Sequence, residues 1–277
     1  MPAVSQALKD FANHHRLPPS PGIEVIVTPR YVATIQPDFP IPGPNSVSWI
    51  RCPPAEVAEM MREARALFAE RSLPLMWQID PETEPADLVD YLAASGVHAD
   101  PHGGHADVMA LPIDAAIAAP EVAGLEIRDA LADLATFRQA DGAAAEAFAG
   151  EVLSDEPELV AAQERRRLNS LAAGNRHHLI ALVDGEPAGA GGMSLYPPDG
   201  ATINGGSVRP KFRGRGIYRA LVAARLDIAR RAGVAGLAVW GGPESAPTLA
   251  RLGFEVVGWR RFYQDLSPVQ ASESTHA

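Results

Sequence analysis

The stretch Val208–Leu221 reads VRPKFRGRGIYRAL, and its residue types are suited to holding an anion. Arg213, Arg215 and Arg219 bracket Gly214 and Gly216, between a strand-like run, ATINGGSV, and a helix with one apolar side. A strand that passes through a glycine turn into a helix leaves several backbone N–H groups unpaired and convergent. The positive end of the helix dipole falls at the same place, which favours a phosphate or diphosphate. Glycine is expected there because a Cβ would hold a phosphate away from the backbone. Two other uses compete: a basic surface for nucleic acid, and a turn whose arginines only face water.

Charge separates these uses. The chain has 277 residues and carries 24 Lys and Arg against 34 Asp and Glu, a formal charge of −10. Such a chain repels polyanions overall, so no nucleic-acid partner is expected. Other phosphate loops fit poorly. The nucleotide-triphosphate loop requires Gly-Lys-Ser/Thr, and the fingerprint G-x-G-x-x-G breaks at Arg219. The catalytic-loop and Asp-Phe-Gly elements of protein kinases are missing.

Hydrophobic residues make up 47% and charged residues 21%, the balance of a globular chain. Cys52 is the one cysteine, which excludes an intrachain disulfide framework and a multi-cysteine metal site; it reads as a small buried hydrophobe. No apolar run approaches bilayer length, and MPAVSQALKDFANHHR lacks the apolar core of a secretory signal. A cytoplasmic protein with no membrane partner is expected, as a monomer or homodimer.

The elements that must position the loop follow from periodicity. Residues 1–20 read as a frayed leader with a short helix. Strand patterns follow at IEVIVT, RYVATI and SVSWI, and a helix begins at Ala55 with Val57, Met60, Met61, Ala64, Leu67 and Phe68 on one face. LPLMWQI reads as a strand, PADLVDYLAASG as a helix closing on Gly96, and DVMAL as another strand. The Ala/Pro-rich segment 113–124 marks the expected boundary between an N-terminal domain, 21–112, and a C-terminal one, 125–268. Beyond it come a strand LEIRD, two helices and three strands, with Asp155 expected to cap the second helix and Gly174 to close it. The helix after the loop carries Ile217, Ala220, Leu221, Ala224 and Ile228 on one side and stops at Gly233. GLAVW, the short helix SAPTLARLG and FEVVGWRRFYQDL complete the domain, and 269–277 is expected to be disordered.

The two halves also resemble each other. SVSWIRCPP, helix, LPLMW, helix, LAASGV in the first parallels GGSVRPKFRGRG, helix, GLAVW, helix, LARLGF in the second. Trp77 aligns with Trp240, Leu92 with Leu249 and Gly96 with Gly253. The glycine loop occurs once, since RCPP replaces it in the first half.

VRPKFRGRGIYRALV resembles the acyl-CoA-binding motif R/Q-x-x-G-x-G/A of the GNAT superfamily of N-acyltransferases, and APTLARLGFEVVG resembles that family's closing helix followed by Gly-Phe. Together the motifs span roughly Leu125 to Leu266. The resemblance implies an α/β (α+β) fold in tandem, each half with a mixed, mostly antiparallel central sheet flanked by helices, the N-terminal copy degenerate. It implies acetyl-CoA or a related acyl-CoA as cosubstrate, an amine acceptor and no metal. The CoA diphosphate would lie on the amides of Arg213, Gly214, Arg215, Gly216, Ile217, Tyr218 and Arg219, with the pantetheine arm beside the strand ending at Val208. A backbone N–H of that strand would polarise the thioester carbonyl, and NGGSV suits a strand that bulges there. A non-catalytic acyl-CoA sensor or scaffold is the alternative.

The sequence departs from the family pattern at three positions in the two motifs. Tyr218 occupies the second small position, its ring either over the adenine or packed under the loop. Leu249 stands where many members carry a tyrosine that protonates the leaving thiolate, and the Asn position is closest to Ser245. Tyr196 and Tyr263 are the phenols that could substitute. Glu126, Asp184, Glu186, Asp199 and Glu244 are the carboxylates available as base, and Glu244 falls closest to the expected acceptor entrance. His177 and His178 open a strand. His98, His102 and His105 sit in a loop without i, i+4 spacing, which sets a metal reading aside.

Overall fold

The computed structural model describes residues 3–101, 103–149 and 153–269. In chain order the elements are α1 (Gln6–His14), β1 (Glu24–Val27), β2 (Val32–Ile35), β3 (Ser46–Ser48), α2 (Val57–Ala69), β4 (Leu75–Ile79), α3 (Leu88–Ala94), β5 (His98–Ala99) and β6 (His105–Pro112). They continue with β7 (Leu125–Asp129), α4 (Leu134–Ala149), α5 (Pro157–Ala173), β8 (Arg176–Val183), β9 (Glu186–Tyr196), β10 (Gly200–Val208), α6 (Ile217–Ala232), β11 (Gly236–Gly241), α7 (Ala246–Arg251) and β12 (Glu255–Asp265). The expected tail at 269–277 lies almost entirely outside the described residues.

The chain forms two compact units, and neither is one continuous segment. The smaller takes Arg16–Asp107 with Gly258–Ala277; the larger takes Met1–His15 with Val108–Val257. In the smaller unit β1, β2, β3, β4 and the second part of β12 lie side by side, with β5 also on β12. The helix periodicity read at α2 is realised: Val57, Met60, Met61, Ala64 and Phe68 are buried against Val47, Leu75 and Trp77. The indole of fully buried Trp77 donates to Asp265 Oδ2 at 3.1 Å, and Arg65 Nε donates to the same oxygen at 2.8 Å.

In the larger unit the order is β6-β11-β10-β9-β8-β7. Side-chain alternation assigns its faces. Leu179, Ala181 and Val183 pack with Ile217 and Leu221 of α6, whereas Ile180, Leu182 and Ala190 pack with Ala140 of α4. Ala238 packs with Leu8, Phe11 and Ala12 of α1, so α1 and α4 cover the face away from α6. The opening helix is therefore docked, with Leu8 1% exposed, and not frayed. Its approach is close: a Cβ on Gly200 would lie 2.5 Å from the Phe11 ring.

The expected repeat is present as β3–α2–β4–α3 and β10–α6–β11–α7, each with its strand pair parallel. β6, the long strand that follows α3 and β5, joins β11, and the strand after α7 pairs with β4, so the closing strands are exchanged between the repeats. Segment 113–124 is also packed. Arg230 donates to the carbonyls of Ile113 and Ala115, and Pro120 lies against Gly216. Helix α5 starts at Pro157 with Glu156 as N-cap; Asp155 does not cap it but pairs with Arg138. Gly174 closes it in the left-handed conformation, as expected.

Candidate active site

The glycine loop joins β10 to α6. One 3-10 turn, Pro210–Phe212, leads to Gly214 at φ 76° and to Gly216, the α6 N-cap, at φ 87°. These left-handed values suit glycine and strain other residues. The backbone N–H groups of Gly214, Arg215 and Gly216 meet no backbone carbonyl among the described residues. Those of Ile217, Tyr218 and Arg219 open the helix and have no partner within it. The two glycines differ in surroundings. Nothing lies within 4 Å of a Cβ placed on Gly214, but one on Gly216 would come 2.9 Å from Pro120 Cγ. Gly216 is thus required by its turn and by Pro120, beyond any ligand.

The basic residues divide by role. Arg209 pairs with Glu146 and Glu186, and Lys211 with Glu186, whose carboxyl is held below its ordinary range chiefly by the Lys211 bond. Arg213 donates to the Val208 carbonyl at 3.2 Å and to the Ala147 carbonyl at 3.0 Å, tying the loop to the strand end and to α4. Arg213, Arg215 and Arg219 are exposed and form no ion pair among the described residues.

Upstream of the loop the sheet opens. β10 and β11 pair only at Ala201↔Leu237 and Thr202↔Ala238, yet they run on to Val208 and Gly241. Next on the same face are Asn204 and Trp240, both exposed. At the same level Asn204 pairs with Gly192 and Ser207 with Ala190, so Gly205 and Gly206 together oppose Gly191. This is a β-bulge with its first residue left-handed, Gly205 at φ 57°.

Beneath the bulge lies Arg225 of α6, 1% exposed. Its Nη1 donates to the carbonyls of Gly192 at 3.2 Å and Asn204 at 3.4 Å, its Nε donates to Leu221, and its Nη2 has no partner among the described residues. Burial lowers its pKa to about 10, so it remains a cation at neutral pH. The Tyr218 ring sits beside it: a Cβ on Gly206 would lie 3.0 Å from Tyr218 Cε2 and 3.2 Å from Arg225 Nη2. Tyr218 therefore turns inward, towards the cluster of Val222 and Leu226, and burial raises its phenol pKa. Its side chain leaves the loop clear. Ser207 Oγ, nearby on β10, is buried without a partner among the described residues.

The opposite face of the opened sheet is polar. Arg176, Ser194 and Thr202 form one row across β8, β9 and β10, and His178, Gly192 and Asn204 form the next. The Tyr196 hydroxyl bonds with Ser194 and Thr202, and burial raises its pKa. His15, just beyond α1, lies against Tyr196 with ring centroids 3.9 Å apart and the rings tilted by 48°. Burial lowers the pKa of His15 and of His178, and the Nε2 of each is buried without a partner among the described residues.

Of the other expected residues, Glu244 is exposed in the turn after β11, and Ser245 is the α7 N-cap, its hydroxyl donating to Gly242. Leu249 is fully buried near Gly241, so the position that carries a tyrosine in the resembled family is core here. Glu126 pairs with Arg128, Asp184 forms a hairpin tip, and Asp199 acts on His15. Tyr263 packs against the smaller unit's own core. His98 lies in β5, His105 contacts Asp107, and His102 lies outside the described residues. No group of three metal-ligating side chains occurs among the described residues.

Sequence reading missed four residues around the opening. His15 stood in what read as a leader, and Asn204 and Trp240 read only as strand residues. Arg225 had a signal: it follows Leu221 by four, a charge at a core-facing helix position.

Comparison with known proteins bears on the whole arrangement. Residues 144–254, which contain the loop, match the acetyltransferase (GNAT) family model. No curated protein matches the sequence. Among solved structures, the GCN5-related N-acetyltransferase from Kribbella flavida is 17% identical with a TM-score of 0.58, over 88% of this chain and 90% of that one. A tandem GNAT protein from the clavulanic acid biosynthesis pathway is 16% identical with a TM-score of 0.59, over 93% and 87%. A functionally unknown conserved protein from Staphylococcus epidermidis is 12% identical with a TM-score of 0.65, over 92% and 96%. The fold is the tandem GNAT fold that the loop and the repeat implied, and within it residues 144–254 are similar to the acetyltransferase (GNAT) family.

Proposed function

We propose that the larger unit binds acetyl-CoA and transfers its acetyl group to a primary amine. One observation carries this reading: the N–H groups of Gly214, Arg215 and Gly216, which meet no backbone carbonyl among the described residues, lie at the start of α6, directly beyond a strand that has parted from its neighbour. The loop would hold the diphosphate through the amides of Gly214 to Arg219, the Arg213 amide being taken by the Pro210 carbonyl, with the Arg213, Arg215 and Arg219 side chains at its rim. The residues present fit that ligand, since Tyr218 turns away and Gly214 leaves the backbone open. The pantetheine arm would run along β10 above Val208, and the bulge would present a backbone donor to the thioester carbonyl.

In the transfer, the free amine nitrogen bonds to the acetyl carbon and the carbon–sulfur bond breaks. The amine gives up a proton to solvent, and the thiolate departs without needing one at neutral pH. Cytoplasmic location agrees with a single buried thiol at Cys52. Buried Leu249, which removes the expected acid, favours one second reading: a protein that binds acyl-CoA without turning it over.

Calorimetry with acetyl-CoA tests the first step. Asp tolerates the left-handed conformation better than most residues, so Gly214→Asp puts a carboxylate at the loop with little strain. It should weaken binding by about tenfold or more, roughly the cost of one like charge near a phosphate. No binding by the unmodified protein would end the proposal. Binding without CoA release over a broad amine panel would select the second reading.

A further inference from the structure

We propose that Arg225 is a positioning residue that polarises the Asn204–Gly205 peptide at the β10 bulge and so strengthens the donor offered to a thioester carbonyl. The inference rests on the acetyl-CoA reading above and adds a residue to which neither the family match nor the sequence motif points.

Its place in the fold is built for it. Gly191 on β9 and Gly206 on β10 both face the guanidinium, and a Cβ on Gly191 would lie 3.0 Å from its carbon and from Nη1. Three glycines thus make the bulge, and two of them make room beneath it. The bulge takes Asn204 out of regular pairing, and Arg225 Nη1 serves the carbonyls of Asn204 and of Gly192 opposite. Structure alone does not demand a cation there. A neutral donor would satisfy two carbonyls, whereas a buried charge costs several kcal/mol to desolvate. No carboxylate pairs with Arg225 among the described residues, and the neighbouring Tyr218 phenol, its pKa raised by burial, carries no charge at neutral pH to offset it.

Chemistry gives the charge a use. Asn204 C=O and Gly205 N–H belong to one peptide group, so a cation on the oxygen makes the N–H a stronger donor. That peptide lies two residues past the last β10–β11 pair, where Asn204 and Gly205 are exposed. A fixed dipole in a partly dry site stabilises charge that builds up during reaction more than charge already present. The effect should therefore fall on turnover more than on binding.

The test is difference infrared spectroscopy of bound acetyl-CoA labelled with 13C at the thioester carbonyl, alongside steady-state kinetics on a responsive amine. In the unmodified protein the carbonyl band should lie below its frequency in water. In Arg225→Met it should return towards that frequency, with kcat down by about 10–100-fold and acetyl-CoA affinity changed by less than about threefold. Arg225→Lys, which keeps the charge, should recover part of both. Where circular dichroism shows that Arg225→Met has not folded, Gly206→Ala takes its place, since the added methyl presses on Nη2, and it should move the band the same way. An unshifted band and unchanged kcat in the folded variant would overturn the assignment while leaving the acetyl-CoA reading intact. Failure of the unmodified protein to bind acetyl-CoA would remove both.

Discussion

Two histidines in the larger unit hold a neutral form by burial, and this sets a direction for acid stability. His178, buried beside the Phe137 ring at 5.4 Å, and His15, on Tyr196, both have folded pKa values below the ordinary one. Desolvation is the larger cause for each, outweighing Asp141 and Asp199 respectively. Such a group takes up its proton more readily when unfolded. Its stabilising effect is complete above the unfolded pKa of about 6.5 and is lost as pH falls towards the depressed folded value. Urea unfolding should show stability dropping below pH 6.5 by at most about 1.4 kcal/mol per pH unit for each histidine. His178→Phe should flatten part of that slope; an unaltered slope would mean that His178 is not the group responsible.

At the scale of elements, α1 decides how the larger unit is bounded. Leu8 and Phe11 of α1 are buried against β10 and β11, although they precede the core of that unit by about a hundred residues. Leu8→Ala should cost about 2–5 kcal/mol, the range for a core leucine, and thermal unfolding would record it. A helix that merely frayed would lose less than about 0.5 kcal/mol. The helix itself was readable in ALKDFANH, but its docking was not, because an amphipathic stripe names no partner. The glycine loop was readable for the opposite reason. Positive φ, helix start and strand end all leave local marks in RGRGIYRAL, and no distant partner is needed to decode them. The bulge stood between these cases: NGGSV announced a distortion, while the arginine filling it came from a different element.

At the scale of the whole molecule, β12 completes the smaller unit. Asp265 receives both the Trp77 indole and Arg65, and Tyr263 pairs with Trp77 in register. A chain cut before Gly258 should therefore leave residues 16–107 without a folded core, and proteolysis should reach Trp77. If that truncated chain resists protease as well as the full one, the exchange of closing strands carries no stability. The repeat in sequence showed two similar halves but could not show this exchange, since pairing between strands far apart in the chain leaves no local mark.

The exchange also sets an order of events during synthesis. Most of the smaller unit leaves the ribosome early, yet it cannot close until residues 258–265 have been made, by which time the glycine loop and α6 are already outside. Residues 16–107 thus wait, open-edged, for a strand encoded some 150 residues downstream, and the whole intervening stretch of the larger unit is synthesised before they can close.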